Sequence, residues 1–286
     1  MTTDVIDGYL GRGRRGDRAG RRQRGDRRRL NTNDAVDERN SDDGGANAFN
    51  ALHRQSVSVV IATLNEARNL PYVLSAIPRW VHEVILVDGR STDNTVEVAR
   101  ELCPGVRVLT EEKPGKGVAL RRGFNAATGD IIVTFDADGS HDPAEIPLFI
   151  GALLSGADFV KGSRFIQGGG TDDMEWYRRV GNWAFKILVS LNFGGRYTDL
   201  CYGFNAFSTS VLSRLNLDAD GFEIETQMNI RALREKLKIL EVASFEAARK
   251  YGVSNLRTFP DGWRVLKVIV NERFSIGSRT VSASEQ

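Results

Sequence analysis

The sequence has little cysteine. Cys103 and Cys201 are its only two, and they stand far apart without metal-ligand spacing. That excludes a disulfide scaffold and a cysteine-built metal site, and leaves two free thiols. No run of about 18 apolar residues occurs, so no transmembrane helix is expected. The N-terminus lacks the apolar stretch of a secretory leader. Internal repeats are also absent. Residues 1–54 contain almost no large apolar side chains. Such a segment cannot bury enough surface to offset its ordering entropy, and a disordered tail is expected there. A second tail is expected over 275–286, with one catalytic domain over 55–274 between them.

What is present is ordinary for a globular protein: 41% hydrophobic and 27% charged residues in a chain of 286. The net charge of +2 is unevenly spread. Residues 11–30 carry ten arginines against Asp17 and Asp26, a local excess of +8 that the acids from Asp34 to Asp43 largely offset. Such a run either binds anionic lipid or RNA or is simply solvated. The solvated tail is the preferred reading, and a nucleic-acid partner is not expected.

From Ser56 onward, short apolar runs alternate with helical stretches. The runs are SVSVVIAT, EVILVD, VRVLT, DIIVTFDAD and ADFVKGSR. Helices are expected from Glu66 to Ile77, from Ser91–Asp93 to Leu102, from KPGKG to about Ala127, and after Pro143. Continuously apolar strands alternating with helices predict an α/β fold, a mostly parallel sheet covered on both faces. Such sheets bind ligands at the carboxyl ends of their strands. Thr63 to Glu66, Asp88, Lys113 to Gly117 and Asp136-Ala137-Asp138 all fall at those ends. The later part is less regular. Helices are expected over 174–193, 222–236 and 261–274, with strand-like stretches at LCYGFNAFS and KILEVASFEA.

The carboxylates of Asp136 and Asp138 repel each other unless a cation neutralises them. At the open end of a strand they suit a hard divalent ion such as Mg²⁺ or Mn²⁺, which keeps positions open for substrate phosphates. The bland alternative is that they cap the helix near Pro143. Glu66 and Asp88 are placed to accept hydrogen bonds from a base or ribose. Lys116 sits between two glycines in KPGKG, where backbone N–H groups and one cation suit a phosphate.

VSVVIATLNEARNL, VILVDGRSTDNT, KPGKGVALRRGF, GDIIVTFDADGSHDPAEIP, FVKGSRF and CYGFNAF occur in this order. Together they resemble a family 2 glycosyltransferase of the GT-A fold, in the dolichyl-phosphate mannose synthase type of polyprenyl-phosphate glycosyltransferases. The resemblance covers about residues 56–255. It implies that Thr63, Glu66 and Asp88 hold the nucleoside, with Lys116 and Gly117 along the same donor pocket. Asp136 and Asp138 would bind the metal that grips the diphosphate. Ser140 stands where the pattern often has a glutamine ligand, and would act through water. Arg164 would meet the acceptor phosphate, helped by Arg178 or Arg179. Arg90 departs from the commoner acidic or glycine version of its turn, and either adds a contact or points outward.

The implied reaction moves a hexose from a nucleotide-diphosphate sugar, of the UDP-glucose or GDP-mannose type, to a polyprenyl phosphate. In-line attack would invert the anomeric centre, with the metal and Lys116 stabilising the leaving diphosphate. A lipid monophosphate is already ionised and needs no base. A hydroxyl acceptor would need one, and Glu223 or Glu225 is then the candidate. A non-catalytic nucleotide-sugar or nucleic-acid binding module is the third reading. The intact set of strand-end acids speaks against it.

Trp176, Tyr177, Trp183, Phe185, Ile187 and Leu188 beside Arg178, Arg179 and Lys186 read either as an interfacial helix or as a core helix with basic flanks. The protein is expected to be cytoplasmic and peripheral on the membrane, or to rely on a membrane-anchoring partner.

Overall fold

The apolar runs form strands because both faces of the sheet are covered. A computed structural model describes residues 55–275. The tails expected over 1–54 and 275–286 lie outside the described residues, apart from Ser275. Strands β1 (Val57–Thr63), β2 (Glu83–Asp88), β3 (Arg107–Thr110), β4 (Ile131–Thr134) and β5 (Phe159–Ser163) match the expected runs, and β4 stops before Phe135. With β7 (Asn205–Ser208) and β8 (Ile239–Ala243) they form one sheet in the order β3-β2-β1-β4-β7-β5-β8. All neighbours are parallel except β7, which runs antiparallel to both β4 and β5. Beside it, β6 (Gly170–Thr171) pairs in parallel with β9 (Phe245–Glu246).

Alternation within β1 explains its unbroken apolarity. Val59 and Ile61 enter one core, while Val60 enters the other. The first core is closed by α1 (Leu70–Leu74), α2 (Thr95–Leu102) and α4 (Ile146–Leu154) through Leu70, Ala99 and Phe149. The second is closed by α3 (Lys116–Ala126) and α7 (Ile224–Arg234) through Phe124 and Met228. A short α6 (Leu212–Leu215) precedes α7. Fully burying side chains such as Phe124 and Phe149 contributes roughly 1.5–3 kcal/mol each.

A third cluster joins α5 (Trp176–Phe193), α7 and α8 (Thr258–Phe274) through Val189, Ile230, Val265 and Ile269. A buried ion network reinforces it. Glu272 accepts from Arg231 at 2.7 Å and also pairs with Arg234, so the end of α8 is tied to α7.

Three expectations are corrected in detail. The helix expected over 66–77 is a single turn, Leu70–Leu74, with a proline at its start. The last helix begins at Thr258, earlier than expected. The helical stretch after Pro143 opens as a 3₁₀ turn over Pro143–Glu145, capped by Asp142, whose Oδ1 accepts from the Ala144 amide at 2.9 Å. Asp136 and Asp138 therefore do not cap it.

Candidate active site

The carboxyl ends of β1, β2 and β4 open into a cleft of about 1110 Å³. It lies where strand order reverses around β1, the place open α/β sheets bind ligands. Thr63, Glu66, Lys116, Asp136, Asp138, Arg164, Arg178 and Glu225 line it. Asp88, Gly117, Arg179 and Glu223 are not in that lining.

At the β4 end, Lys116 is in ion-pair contact with both Asp136 and Glu225. Burial alone would discharge the ammonium. The two carboxylates overcome that, and its pKa is raised above the usual lysine range. Burial likewise works against the Asp136 anion, yet Lys116, then His141 and Arg249, hold its pKa below the ordinary value. Asp138 accepts through Oδ1 from the Ser140 amide at 3.0 Å and its hydroxyl at 2.6 Å. Ser140 is thus a support for Asp138. Gly203 rests on the same acids, for a Cβ there would lie 3.2 Å from both Asp136 oxygens and 3.1 Å from Glu225 Oε1.

Arg249 was not foreseen. Its Nη1 donates to Glu66 Oε1 at 2.9 Å, and its Nη2 lies 2.9 Å from Asp138 Oδ2. It sits in an irregular stretch after β9, 183 residues from Glu66 in sequence, and no periodicity marks it. Glu66 also accepts from Asn69 Nδ2 at 2.6 Å, yet burial outweighs both donors and raises its pKa.

Asp88 is buried behind the Gly89–Arg90 turn. Its Oδ2 accepts from the Arg90 and Ser91 amides at 3.1 and 3.0 Å. Its Oδ1 has no partner. Thr63 is buried, with its hydroxyl 3.4 Å from the Val87 carbonyl. Gly117 packs α3 against the 219–220 backbone, where a Cβ would lie 2.3 Å from the Ala219 carbonyl oxygen. That close approach aims the neighbouring Lys116 at the acids. Glu223 accepts from the Gly221 amide at 3.0 Å through Oε1.

Farther along the cleft, Arg164 is buried and forks onto Asp199, with Nε at 2.6 Å and Nη2 at 2.9 Å. Its Nη1 donates to Glu246 at 3.0 and 3.1 Å. Its guanidinium also stacks 4.8 Å from the Tyr202 ring centroid. Arg178 is half-buried in the lining, and its Nε is without a hydrogen-bond acceptor. Arg179 is exposed. Cys201 also lines the cleft, and burial pushes its thiol up to about 12.

The mouth is apolar. On α5, Trp176 and Trp183 are 76% and 59% exposed. On α8, Phe259 and Trp263 line the cleft and are 86% and 58% exposed. The interfacial reading of α5 anticipated its outward tryptophans. The contribution of α8 was missed, although Phe259 and Trp263 share a helical face in the sequence.

No group of three or more His, Cys, Asp or Glu is placed to hold a metal among the described residues. Asp136 and Asp138 nevertheless fit a hard divalent ion, since both are carboxylates at one open cleft. Mg²⁺ bound through one or two carboxylates completes its shell with water and substrate phosphate. No helix among the described residues is long and apolar enough to cross a membrane.

Comparison with known proteins agrees with this geometry. The chain is 34% identical over 211 residues to the dolichol-phosphate mannosyltransferase of Pyrococcus furiosus, covering 70% of this chain and 59% of that protein. It is 31% identical over 236 residues to the undecaprenyl-phosphate mannosyltransferase of Micrococcus luteus, covering 78% and 95%. Among solved structures it is similar to glucosyl-3-phosphoglycerate synthase from Mycobacterium tuberculosis, in complex with Mn²⁺, UDP and glucosyl-3-phosphoglycerate. That match has a TM-score of 0.64 and 26% identity, and covers 79% of this chain and 83% of the other. The same synthase has been crystallised with Mg²⁺ and UDP. Residues 58–215 match the model of glycosyl transferase family 2. By that match, and by its relatives across most of its length, the chain belongs to glycosyl transferase family 2 and is a glycosyltransferase.

Proposed function

We propose that the protein transfers a hexose from a nucleotide-diphosphate sugar to a polyprenyl phosphate, with inversion and with a divalent metal. One observation carries the reading. A single cleft joins paired carboxylates at its floor, Asp136 and Asp138, to an apolar mouth built from Phe259 and Trp263 beside α5. That suits an acceptor with an anionic head and an apolar tail. The similarity to two polyprenyl-phosphate mannosyltransferases supports it.

In this reading Asp136 and Asp138 hold Mg²⁺ or Mn²⁺. The ion supplies charge neutralisation for the departing nucleoside diphosphate. Lys116 and Arg249 are the chain's own cations at that place. Both are paired with carboxylates and held charged, so they stand ready for phosphate oxygens. Thr63, Glu66 and Asp88 take the nucleoside. Arg164, fixed by Asp199 and Glu246, and Arg178 take the acceptor phosphate, while Arg179 faces solvent beside them. A lipid phosphate is ionised at neutral pH and attacks without a base. Glu225 then serves to orient Lys116. Trp176, Trp183, Phe259 and Trp263 meet the bilayer surface, with exposed Arg179 and Lys267 toward anionic headgroups. The membrane association is peripheral or is completed by a membrane-anchoring partner.

A second reading, a phosphate-bearing hydroxyl acceptor, draws on the likeness to the phosphoglycerate synthase. Glu225 would then be the base. One assay separates the two: labelled nucleotide sugar, Mg²⁺ and a mixture of polyprenyl phosphate and 3-phosphoglycerate. Label in the organic extract supports the lipid acceptor, and label confined to the aqueous phase removes it.

A further inference from the structure

Arg90 has a left-handed backbone, with φ of 67°. That conformation is rare and strained for an arginine. The turn itself needs it, because it brings the Arg90 and Ser91 amides onto Asp88 Oδ2. Glycine would make the same turn without strain. Asn65, the other left-handed residue of this cleft wall, is of a type that tolerates it, and its Oδ1 accepts from the Thr92 amide at 2.7 Å. The strain at Arg90 therefore has no use in the turn, which turns attention to the side chain. It lines the cleft, is exposed, and makes no hydrogen bond or ion pair among the described residues. Backbone strain at the edge of a cleft is a mark of function.

A second observation points the same way. Asp88 is 4% exposed, and its Oδ1 is buried without a donor. Such an oxygen is costly to leave unmatched, and an incoming N–H would satisfy it. Arg90 and Asp88 thus offer a fork of donors and a vacant acceptor two residues apart. Guanine presents the complement: two N–H donors on one edge, and the adjacent acceptors O6 and N7 that an arginine fork matches. Uracil has one N–H and no ring-nitrogen acceptor beside a carbonyl. Adenine sets an amino group against the guanidinium.

We propose that Arg90 reads the nucleobase and selects a guanine nucleotide as the donor's leaving group. This rests on the reading that the cleft takes a nucleotide sugar. The test is titration of the full chain with GDP and with UDP in the presence of Mg²⁺, for the wild type, Arg90→Gly and Arg90→Lys. The wild type binds GDP more tightly than UDP. Arg90→Gly melts at or above the wild-type temperature without nucleotide, because the strain is relieved. Its GDP affinity falls on the order of tenfold, while UDP affinity changes less than about threefold. Arg90→Lys keeps the charge without the fork and also loses the preference. Equal or tighter UDP binding by the wild type, or an unchanged preference in either variant, overturns the assignment and leaves the transferase reading standing. Binding of neither nucleotide removes both.

Discussion

The guanidinium of Arg249 lies 2.9 Å from the Asp138 carboxylate and binds Glu66 at the same distance. One cation therefore couples the loop after β1 to the acids after β4. It occupies the carboxylate that a divalent ion would use, so the two positive charges compete there. Arg249→Gln removes that competition and one charge from the leaving-group side. The expected outcome is tighter Mg²⁺ binding by the free enzyme with a kcat lower by about 10- to 100-fold. Metal titration and steady-state kinetics on the same preparation check both halves.

Arg164 is expected to do two things. It holds buried Asp199 and Glu246, and it faces the cleft. Arg164→Ala leaves a buried carboxylate unpaired and should destabilise the fold by about 3–5 kcal/mol. Arg164→Lys keeps one charge but loses the fork. It should fold with a smaller loss and raise the acceptor KM more than the donor KM. Urea unfolding and two-substrate kinetics distinguish these outcomes.

Far from the cleft, Glu83 gives a pH signature. Burial works against its anion, but Ser58, the Thr128 amide and hydroxyl, and Arg107 all donate to it and hold it down to about 2. The folded pKa lies below the unfolded carboxylate value of about 4.3. Its stabilisation is therefore full above about 4.3 and fades as pH falls through about 2. The melting temperature of Glu83→Gln should fall below wild type at pH 7, and the gap should close across that acid window. A gap constant with pH would show that the carboxylate charge is not involved.

The apolar mouth predicts membrane affinity. Replacing Trp183, Phe259 and Trp263 together by serine should sharply reduce co-sedimentation with vesicles rich in anionic lipid. Nucleotide binding should be unchanged, because the substitutions lie away from the strand-end acids. Wild-type levels of vesicle binding in this variant would place the membrane contact elsewhere.

The strand ends were legible because a parallel sheet is written as apolar runs, and the chain's acids fall just past them. Asp136, Asp138, Lys116 and Glu66 come together on that logic alone. Strand β7 was not legible as antiparallel, since Asn205–Ser208 is too short to carry a direction. Arg249 was hidden for another reason. Its meaning lies in pairing with Glu66 and Asp138 across most of the chain, and sequence period reports only near neighbours. Gly117 was read as a donor contact. Its missing side chain instead admits the Ala219 backbone, a packing demand visible only once α3 and the 219–220 turn are side by side.

The central claim is that a divalent ion held by Asp136 and Asp138 is required for sugar transfer. It is tested most directly by turnover of exhaustively dialysed protein with nucleotide sugar and polyprenyl phosphate, in EDTA and after adding back Mg²⁺. The account predicts no lipid-linked sugar in EDTA, full recovery with Mg²⁺, and at least about a 100-fold lower kcat for a folded Asp138→Asn at saturating Mg²⁺. Undiminished transfer in EDTA, or near-normal turnover by Asp138→Asn, would contradict it.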